Sequence, residues 1–325
     1  MMELSTRQNI IAEIIDKIHN ASFIAMTGHV SPDGDSVASC LALAMSVKKL
    51  GKTPVVLMDQ VTDRYTFLGG REFIKTECPQ KPDLFICLDC GSKDRMGKFE
   101  ELFDNTSETI VIDHHISNDY YGRLNYVDPK SSSASELTYD VIAAIGNIDA
   151  EIAAALYAGI VFDTGGLRFK SSSPDTFRKV ANLVELGIPF DEIYAEMMLT
   201  RSYSATLLAA KAFSKMKFVE GLPVVYTFIT KEEMASFGAT RADLEGVSGA
   251  MLNTKGAEVA ILISEFMENQ SKASFRSKKM DVNILASHWG GGGHVNAAGA
   301  TIKLLPEAAM DEVLSIVSER YRDGV

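Results

Sequence analysis

Apolar runs alternate with helical patterns along the first half of the chain. Four of the runs are short and continuous, as is typical of buried strands bounded by turn signals. Apolar residues at helical spacing occupy 9–18 and 36–50, and Gly51 ends the second of these patterns. Strands separated by such crossovers predict a doubly wound, mostly parallel α/β sheet. The predicted strands are 23–27, 53–58, 84–89 and 109–113.

The second half of the chain begins with helical patterns and then changes character. Residues 151–162 are almost all apolar and too few to cross a membrane, so they predict a buried helix. We predict a first domain at 1–200, a helical connector at 201–214 and a smaller α/β domain at 215–325. The strands of this second domain are predicted at 223–230, 257–264 and 272–276.

Length and charge narrow the classes of function. A chain of 325 residues, 46% of them hydrophobic, has material for more than one core, which agrees with two domains. Its formal net charge of −11 argues against a protein that grips a long nucleic acid duplex, because such binding depends on neutralising phosphates. A short RNA or a mononucleotide, held by a few arginines, stays compatible with this charge.

No targeting or membrane signal is visible in the sequence. No apolar run reaches the length of a membrane span, and the N-terminus lacks the segments of a signal peptide, so we expect a cytoplasmic protein without a membrane partner. The cysteines Cys40, Cys78, Cys87 and Cys90 are too few for a disulfide framework. Cys87 and Cys90 form a C-x-x-C pattern, but no second thiol pair exists, so a zinc or redox role is disfavoured.

Acidic and imidazole side chains follow the ends of four predicted elements. A single aspartate in such a place is usually a turn residue or a helix cap, so the combination carries the interpretation. Because ligands gather at the carboxyl ends of parallel strands, we expect these side chains to meet. They are His29, Asp33 and Asp35 after the first strand, Asp89 at the end of the third, Asp113 at the end of the fourth with His114 and His115 after it, and Asp163 after the buried helix.

A pair of divalent cations is the chemistry that suits this set. Carboxylates and neutral imidazoles are suitable ligands for Mn²⁺ or Mg²⁺, whereas zinc or iron–sulfur sites rely more on thiolates. Two ions roughly 3.5–4 Å apart can share a carboxylate and a water, and can hold both oxygens of a phosphoryl displacement. The expected reaction is therefore phosphoester hydrolysis by a hydroxide that bridges the ions.

These motifs resemble those of the DHH phosphoesterase superfamily. Residues 29–35, 89, 113–115 and 163–165 carry the resemblance, in the same order and with similar spacing. The glycines and histidine at 290–294, together with the small residues at 297–299, resemble the signature of the DHHA1 substrate domain. The overall plan is similar to the nano-RNase and pAp-phosphatase branch, where pAp is 3′-phosphoadenosine 5′-phosphate.

The resemblance implies a division of the ligands between two ions. One ion would be held by His29, Asp33 and Asp89, and the other by Asp35, Asp89, His114 and Asp163. Asp89 would be the bridge. His115 would lie outside the ligand set and face the scissile phosphate, as an electrostatic stabiliser or a proton donor. Residues 1–200 would form the catalytic DHH domain, and 215–325 the substrate-binding DHHA1 domain.

The glycine run predicts a substrate contact in the second domain. Gly291, Gly292 and Gly293 would let the backbone approach a phosphate closely, with their amides exposed as donors. The resemblance implies that His294 and Arg276 bind the substrate opposite the metals, with Arg276 paired to a terminal phosphate. A flexible glycine loop and a solvated strand arginine are the alternatives that the sequence leaves open.

We therefore expect a Mn²⁺-dependent phosphohydrolase, with Mg²⁺ or Co²⁺ as alternative ions. It would act as a 3′–5′ oligoribonuclease on very short RNA and as a pAp phosphatase. A phosphodiesterase for cyclic di-AMP or linear pApA is the runner-up. A RecJ-type exonuclease would carry further domains, and an inorganic pyrophosphatase would lack the glycine and histidine signature. An inactive nucleotide-binding sensor would not need a bridging carboxylate. A homodimer is compatible with the sequence.

Overall fold

The computed structural model describes residues 4–59 and 61–322, and it divides into two compact units. The first unit is Met1–Thr200 and the second is Arg201–Val325. Each unit has its own six-stranded sheet and its own hydrophobic core. No helix within the described ranges is both long enough and apolar enough to span a membrane. A parallel sheet with helices, followed by a smaller α/β unit, confirms the predicted fold class.

The sheet of the first unit is parallel throughout. Its strand order is β3-β2-β1-β4-β5-β6, so the chain builds one half outward from β1 and the other half outward from β4. The two edge strands, β3 and β6, are not among the strands predicted from the sequence. The strands are β1 Phe23–Thr27, β2 Thr53–Leu57, β3 Ile74–Lys75, β4 Leu84–Leu88, β5 Thr109–Asp113 and β6 Leu124–Val127.

Helices cover this sheet and build cores on both of its faces. Along β4, Ile86 belongs to the larger core, whereas Phe85 and Cys87 belong to the smaller core on the opposite face, because successive strand side chains alternate. The helices are α1 Leu4–Asn20, α2 Gly34–Lys49, α3 Glu100–Asp104, α4 Ala134–Ile145, α5 Ala150–Asp163, α6 Pro174–Glu185 and α7 Phe190–Tyr194.

The predicted buried helix is α5. Asp149 caps it, since its side chain accepts a hydrogen bond of 3.1 Å from the amide of Ile152. The helix is apolar on nearly every side because it packs against α2, α4, α6 and α7. Its last residue is Asp163, one residue beyond the predicted end of the helix at 162.

The second unit contains a mixed sheet of order β11-β12-β10-β9-β8-β7, in which only β8 and β9 pair in parallel. Its strands are β7 Lys217–Phe218, β8 Val224–Ile229, β9 Val259–Met267, β10 Gln270–Ser277, β11 Gly292–His294 and β12 Ala297–Ile302. Its helices are α8 Tyr203–Lys215, α9 Lys231–Ser236, α10 Val247–Leu252, α11 Val282–Ser287 and α12 Pro306–Arg322.

The two faces of β10 differ in character. Ala273 and Phe275 belong to the core that α11 and α12 cover, whereas Lys272, Ser274 and Arg276 lie on the other face and remain partly exposed. Helix α8 adds buried side chains to the core on that other face, together with α10. The second unit therefore keeps one strip of polar side chains accessible beside its cores.

Candidate metal centre

The centre lies at the point where the strand order reverses. Strands β1 and β4 are neighbours, but the chain continues from them toward opposite edges, which opens a crevice at their carboxyl ends. The loop 28–33 follows β1, and Asp89 follows β4. His114 and His115 follow β5, one strand further along. The side chains predicted from the strand ends therefore meet at one edge of the sheet.

Close packing shapes the loop after β1. A Cβ atom on Gly28 would lie 1.8 Å from Oγ of Ser36, so this position requires glycine. Asp33 caps α2, because its Oδ1 accepts hydrogen bonds from the amides of Asp35 (3.1 Å) and Ser36 (3.2 Å). Its other oxygen, Oδ2, lies 3.8 Å from Nε2 of His29. One carboxylate thus starts the helix and also faces the centre.

His29 is held in one tautomer. Its Nδ1 donates a hydrogen bond of 2.8 Å to the carbonyl of Val30, which can only accept. Nε2 therefore faces the carboxylates, at 3.8 Å from Oδ2 of both Asp33 and Asp89. Burial opposes a charged ring, but the nearby carboxylates of Asp33 and Asp89 together raise the pKa of His29 to about 9. The two carboxylates thus favour binding of a proton, or of another cation, at Nε2 of His29.

Asp89 lies in the middle of the cluster. Its φ of +54° falls in the left-handed region, which costs free energy in any residue with a side chain, although aspartate tolerates it better than most. Its Oδ1 is 3.5 Å from Nε2 of His114, and its Oδ2 is 3.8 Å from Nε2 of His29. This carboxylate, only 3% exposed, therefore contacts a histidine on either side.

A second group of side chains gathers around His114. Nε2 of His114 lies 3.2 Å from Oδ2 of Asp163. Asp35 is fully buried, and its oxygens accept hydrogen bonds from the amides of Ala134 (2.6 Å) and Ser135 (2.9 Å), at the start of α4. The positive end of that helix therefore supports the buried carboxylate.

The carboxylates of this second group, Asp35 and Asp163, are buried close to other carboxylates. Burial and the charge of Asp89 raise the pKa of Asp35 to about 7, and burial and the charge of Asp35 raise the pKa of Asp163 well above its usual range. Burial opposes a charged His114, but the nearby carboxylates of Asp89 and Asp163 raise its pKa to about 10. Within residues 4–59 and 61–322, only histidines form ion pairs with Asp89 and Asp163.

The candidate ligand atoms form overlapping groups, and within each group they lie within 4.8 Å of one another. Imidazole and carboxylate donors without a thiolate fit a divalent cation such as Mn²⁺ or Mg²⁺. Asp89 belongs to two of the groups, and so does His114. The groups are His29, Asp33 and Asp89; Asp35, His114 and Asp163; and Asp89, His114 and His115.

Two buried side chains, Asp113 and Asn118, orient His115, and of these the sequence did not predict Asn118. Nδ1 of His115 donates a hydrogen bond of 2.7 Å to Oδ1 of Asp113, and the amide of Asn118 donates one of 2.6 Å to Oδ2. Burial favours a neutral carboxyl, but the hydrogen bond and charge of His115 lower the pKa of Asp113. Burial opposes a charged ring, but the hydrogen bond to Asp113 raises the pKa of His115. Asp113 is part of the sequence motif. Asn118 lies outside the motif, and only the fold places its side chain against Asp113.

The cysteines behind Asp89 pack in the smaller core of the first unit. Cys87 and Cys90 are buried and free, and the hydroxyl of Tyr121 donates a hydrogen bond of 2.7 Å to the carbonyl of Cys90 and lies 3.3 Å from Sγ of Cys87. Burial raises the pKa of the Cys87 thiol well above its usual range. Neither cysteine belongs to a candidate metal group in the part of the chain that the structure describes.

The second unit places the predicted substrate residues near one edge of its sheet. Arg276 lies on β10 opposite Ala297 of β12, and its guanidinium donates a hydrogen bond of 2.9 Å to the carbonyl of Phe275. None of the carboxylates in the described ranges forms an ion pair with Arg276. His294 ends β11 and is exposed. An accessible arginine and an accessible histidine thus lie on strands that both neighbour β12.

The last two glycines of the run, Gly292 and Gly293, belong to β11, and the open amide donors expected from the sequence are largely absent from the run. The amides of Gly290, Gly291 and Gly293 all donate hydrogen bonds inside the unit, at 2.9 to 3.0 Å. A Cβ atom on Gly291 would lie 2.3 Å from the carbonyl oxygen of Gly299 on β12, and one on Gly293 would lie 2.4 Å from that of Ala297. Close approach to β12 therefore explains Gly291 and Gly293. Gly292 and Gly293 still leave an exposed backbone surface without side chains.

Fold and site together define a two-unit α/β protein with a histidine and aspartate centre at the switch point of a parallel sheet. Residues 23–160 match the model of the DHH family, N-terminal domain, and residues 221–323 match that of the DHHA1 domain. The chain belongs to the DHH family and carries a DHHA1 domain.

Known proteins of the same length resemble the whole chain. The bifunctional oligoribonuclease and PAP phosphatase NrnA of Thermus thermophilus is 30% identical over 320 residues, which cover 96% of this chain and 94% of that protein. The protein of the same name from Bacillus subtilis is 26% identical and covers 93% of this chain and 96% of its own length. The crystal structure of an exopolyphosphatase-related protein from Bacteroides fragilis is 28% identical, covers 97% of both chains and has a TM-score of 0.90.

Proposed function

We propose that this chain is a phosphohydrolase that uses two divalent cations to hydrolyse short oligoribonucleotides and pAp. The observation that carries the proposal is the position of Asp89, whose two oxygens face His29 on one side and His114 on the other. A carboxylate shared between two neighbouring ligand groups is the arrangement that a pair of ions needs. The names and matching lengths of the two NrnA relatives support the substrate class.

The ligand assignment starts from two of the three groups. His29, Asp33 and Asp89 would hold one ion, and Asp35, His114 and Asp163 the other. Asp89 would join the second set as well, because its Oδ1 lies 3.5 Å from Nε2 of His114. Bound there, divalent ions supply Lewis acidity that neutralises phosphate charge and makes water a nucleophile near neutral pH. Manganese is the ion we favour from the mixed imidazole and carboxylate donors, with Mg²⁺ and Co²⁺ as alternatives.

The protein's own side chains prepare this site. The hydrogen bond from Nδ1 of His29 to Val30 keeps the lone pair of Nε2 directed at the centre. Asp113 fixes the ring of His115 in the same way and favours its protonated form. A protonated His115 would stabilise the phosphate charge or give a proton to the leaving oxygen.

The second unit would select the substrate. Arg276 has the planar donor geometry that suits a phosphate, and no carboxylate in residues 201–322 competes for it. His294 and the exposed surface of Gly291, Gly292 and Gly293 would add contacts to the same nucleotide. With a net charge of −11, the chain suits a short anionic substrate better than a long duplex.

A substrate panel tests this function. Protein stripped of metal is reloaded with Mn²⁺, Mg²⁺ or Zn²⁺ and offered pAp, RNAs of increasing length, cyclic di-AMP, pApA and pyrophosphate. We expect the highest kcat/KM with Mn²⁺ on pAp and the shortest RNAs, and no turnover by Asp89→Ala. A preference for cyclic di-AMP would move the assignment to the runner-up, and hydrolysis of no substrate would favour a nucleotide sensor.

A further inference from the structure

A cavity of about 410 Å³ opens within the second unit, apart from the metal ligands. The residues that line it include the side chains of Arg241 and Lys272. No acidic residue lines it within the described part of the chain, although aspartate and glutamate outnumber lysine and arginine by 43 to 32 overall. A pocket with this charge in an acidic protein favours an anionic ligand.

Both cations lack an acidic partner and are held by the same aromatic ring. The guanidinium of Arg241 lies 5.7 Å from the ring centre of Phe266, and Nζ of Lys272 lies 5.1 Å from it. Nζ of Lys272 also donates a hydrogen bond of 2.6 Å to Oγ1 of Thr301. No carboxylate in residues 201–322 forms an ion pair with either side chain.

Some lysines of the same unit are paired with a carboxylate, whereas in the part of the unit that the structure describes Arg241 and Lys272 are not. Lys215 forms an ion pair of 2.8 Å with Glu233, and Lys279 forms one of 2.6 Å with Glu258. The unit therefore has carboxylates available for its lysines, yet none faces the cavity. Charge held in place without a protein partner is available to a ligand.

Strand β10 joins Lys272, which lines the cavity, to Arg276, which lies outside it. Lys272, Ser274 and Arg276 are alternate residues of β10, so their side chains share a face, and about 13 Å separates the two basic positions along the strand. Between these two positions the neighbouring strand β12 carries only small residues, because Ser274 pairs with Gly299 and Arg276 with Ala297. An extended chain can lie on this strip and meet a cation at each end.

We propose that Arg241 and Lys272 bind a phosphodiester of a single-stranded oligoribonucleotide whose neighbouring segment lies at Arg276. This inference rests on the proposed function and adds a determinant of substrate length to it. An RNA of three or more nucleotides offers further phosphodiesters along the strip, whereas pAp ends at its second phosphate. The cavity with Arg241 and Lys272 would therefore strengthen the binding of RNAs of three or more nucleotides, and would leave the binding of pAp unchanged.

Neutralising variants of the full-length, metal-loaded protein test the proposal. For Arg241→Gln and Lys272→Gln we expect KM for a pentanucleotide RNA to rise about tenfold each, with kcat little changed. KM for pAp should change far less. The slope of log affinity against log salt should fall by about 0.7 for each lost contact. Lys217→Gln on β7, at the opposite edge of the sheet, removes the same charge and should leave both substrates unaffected.

Direct binding separates this inference from the proposed function. A fluorescent pentanucleotide is titrated onto the wild-type protein and the double variant in EDTA, where no turnover is needed, and thermal melting checks that both are folded. Weaker binding to the double variant, by about tenfold or more, would support the pocket even if neither substrate were hydrolysed. Equal binding by the two proteins, or an equal loss toward RNA and pAp, would overturn it.

Discussion

Asp113 shows how a residue that does not face the centre can act through one that does. It is fully buried and joins Nδ1 of His115 to the amide of Asn118. Such a carboxylate fixes the tautomer and the direction of the ring and stabilises its positive charge. Asp113 is therefore a positioning residue, and its effect should reach the reaction through the protonation of His115.

Asp113→Asn should lower kcat about 10- to 100-fold with little change in KM. Because Asp113 raises the pKa of His115, its removal should lower that pKa. Protonated His115 is then lost at a lower pH, so the alkaline limb of the kcat profile should move to lower pH. Steady-state kinetics across pH measure both effects. Asp94→Asn, at an exposed position, is the control, and an unshifted profile would remove the proposed role of His115.

Metal binding should release protons. The pKa values of about 9 for His29 and about 10 for His114 mean that both rings are protonated at pH 7.5 in the protein without ions. An ion binds only a neutral imidazole, so each ring must lose its proton, and affinity for Mn²⁺ should increase as pH rises toward these values. Calorimetric titrations in buffers of different ionisation enthalpy measure the release. Heats that do not depend on the buffer would contradict this prediction.

At the scale of elements, the centre depends on the close approach of α2, α4 and α5. A Cβ atom on Gly159 of α5 would lie 2.0 Å from Oγ of Ser135 and 2.8 Å from Oδ1 of Asp35. The absence of a side chain there lets α5 bring Asp163 toward Asp35. The buried carboxylate is at the same time held by the first amides of α4.

Gly159→Ala should therefore disturb the centre as well as the core. We expect a loss of about 1–3 kcal/mol in the free energy of unfolding, together with weaker Mn²⁺ binding. Denaturant unfolding and metal titration measure the two effects. Gly249→Ala in α10 is the matched control, because its Cβ meets nothing within 4 Å, and it should leave metal binding unchanged. Normal metal affinity in Gly159→Ala would show that this packing does not position the ligands.

The sequence predicts most elements of the first unit because their apolar runs are continuous and their helical patterns are regular. It misses β3, which has two residues, and β6, where Asn125 interrupts the apolar pattern. It also misses β11, because glycines usually indicate loops and only the contact with β12 explains them here. Ligand positions follow from strand ends, but the hydrogen bonds from α4 to Asp35 join segments about a hundred residues apart, so no local pattern reveals them.

At the scale of the whole molecule, the chain separates its tasks between two units with independent cores. The first unit contains all the candidate metal groups of the described residues. The second unit offers cations without acidic partners, among them Arg276 and Lys272. We propose that chemistry belongs to the first unit and substrate affinity to the second.

Arg276→Gln should weaken substrate binding without changing the chemical step. We expect KM for pAp to rise about tenfold or more, because a charged hydrogen bond to phosphate is lost, with kcat and the number of bound ions little changed. His294→Ala should act in the same direction. Steady-state kinetics and metal analysis of the same preparations measure the separation. A fall in kcat with an unchanged KM would place Arg276 in the chemistry instead.

The number of ions that each chain binds tests the central claim most directly. Protein saturated with Mn²⁺ and freed of unbound metal is analysed for manganese per polypeptide, beside Asp89→Asn. We predict two ions per chain in the wild-type protein and at most one in the variant, because the shared carboxylate has lost its charge. One ion per wild-type chain at saturation, or two in the variant, would contradict it.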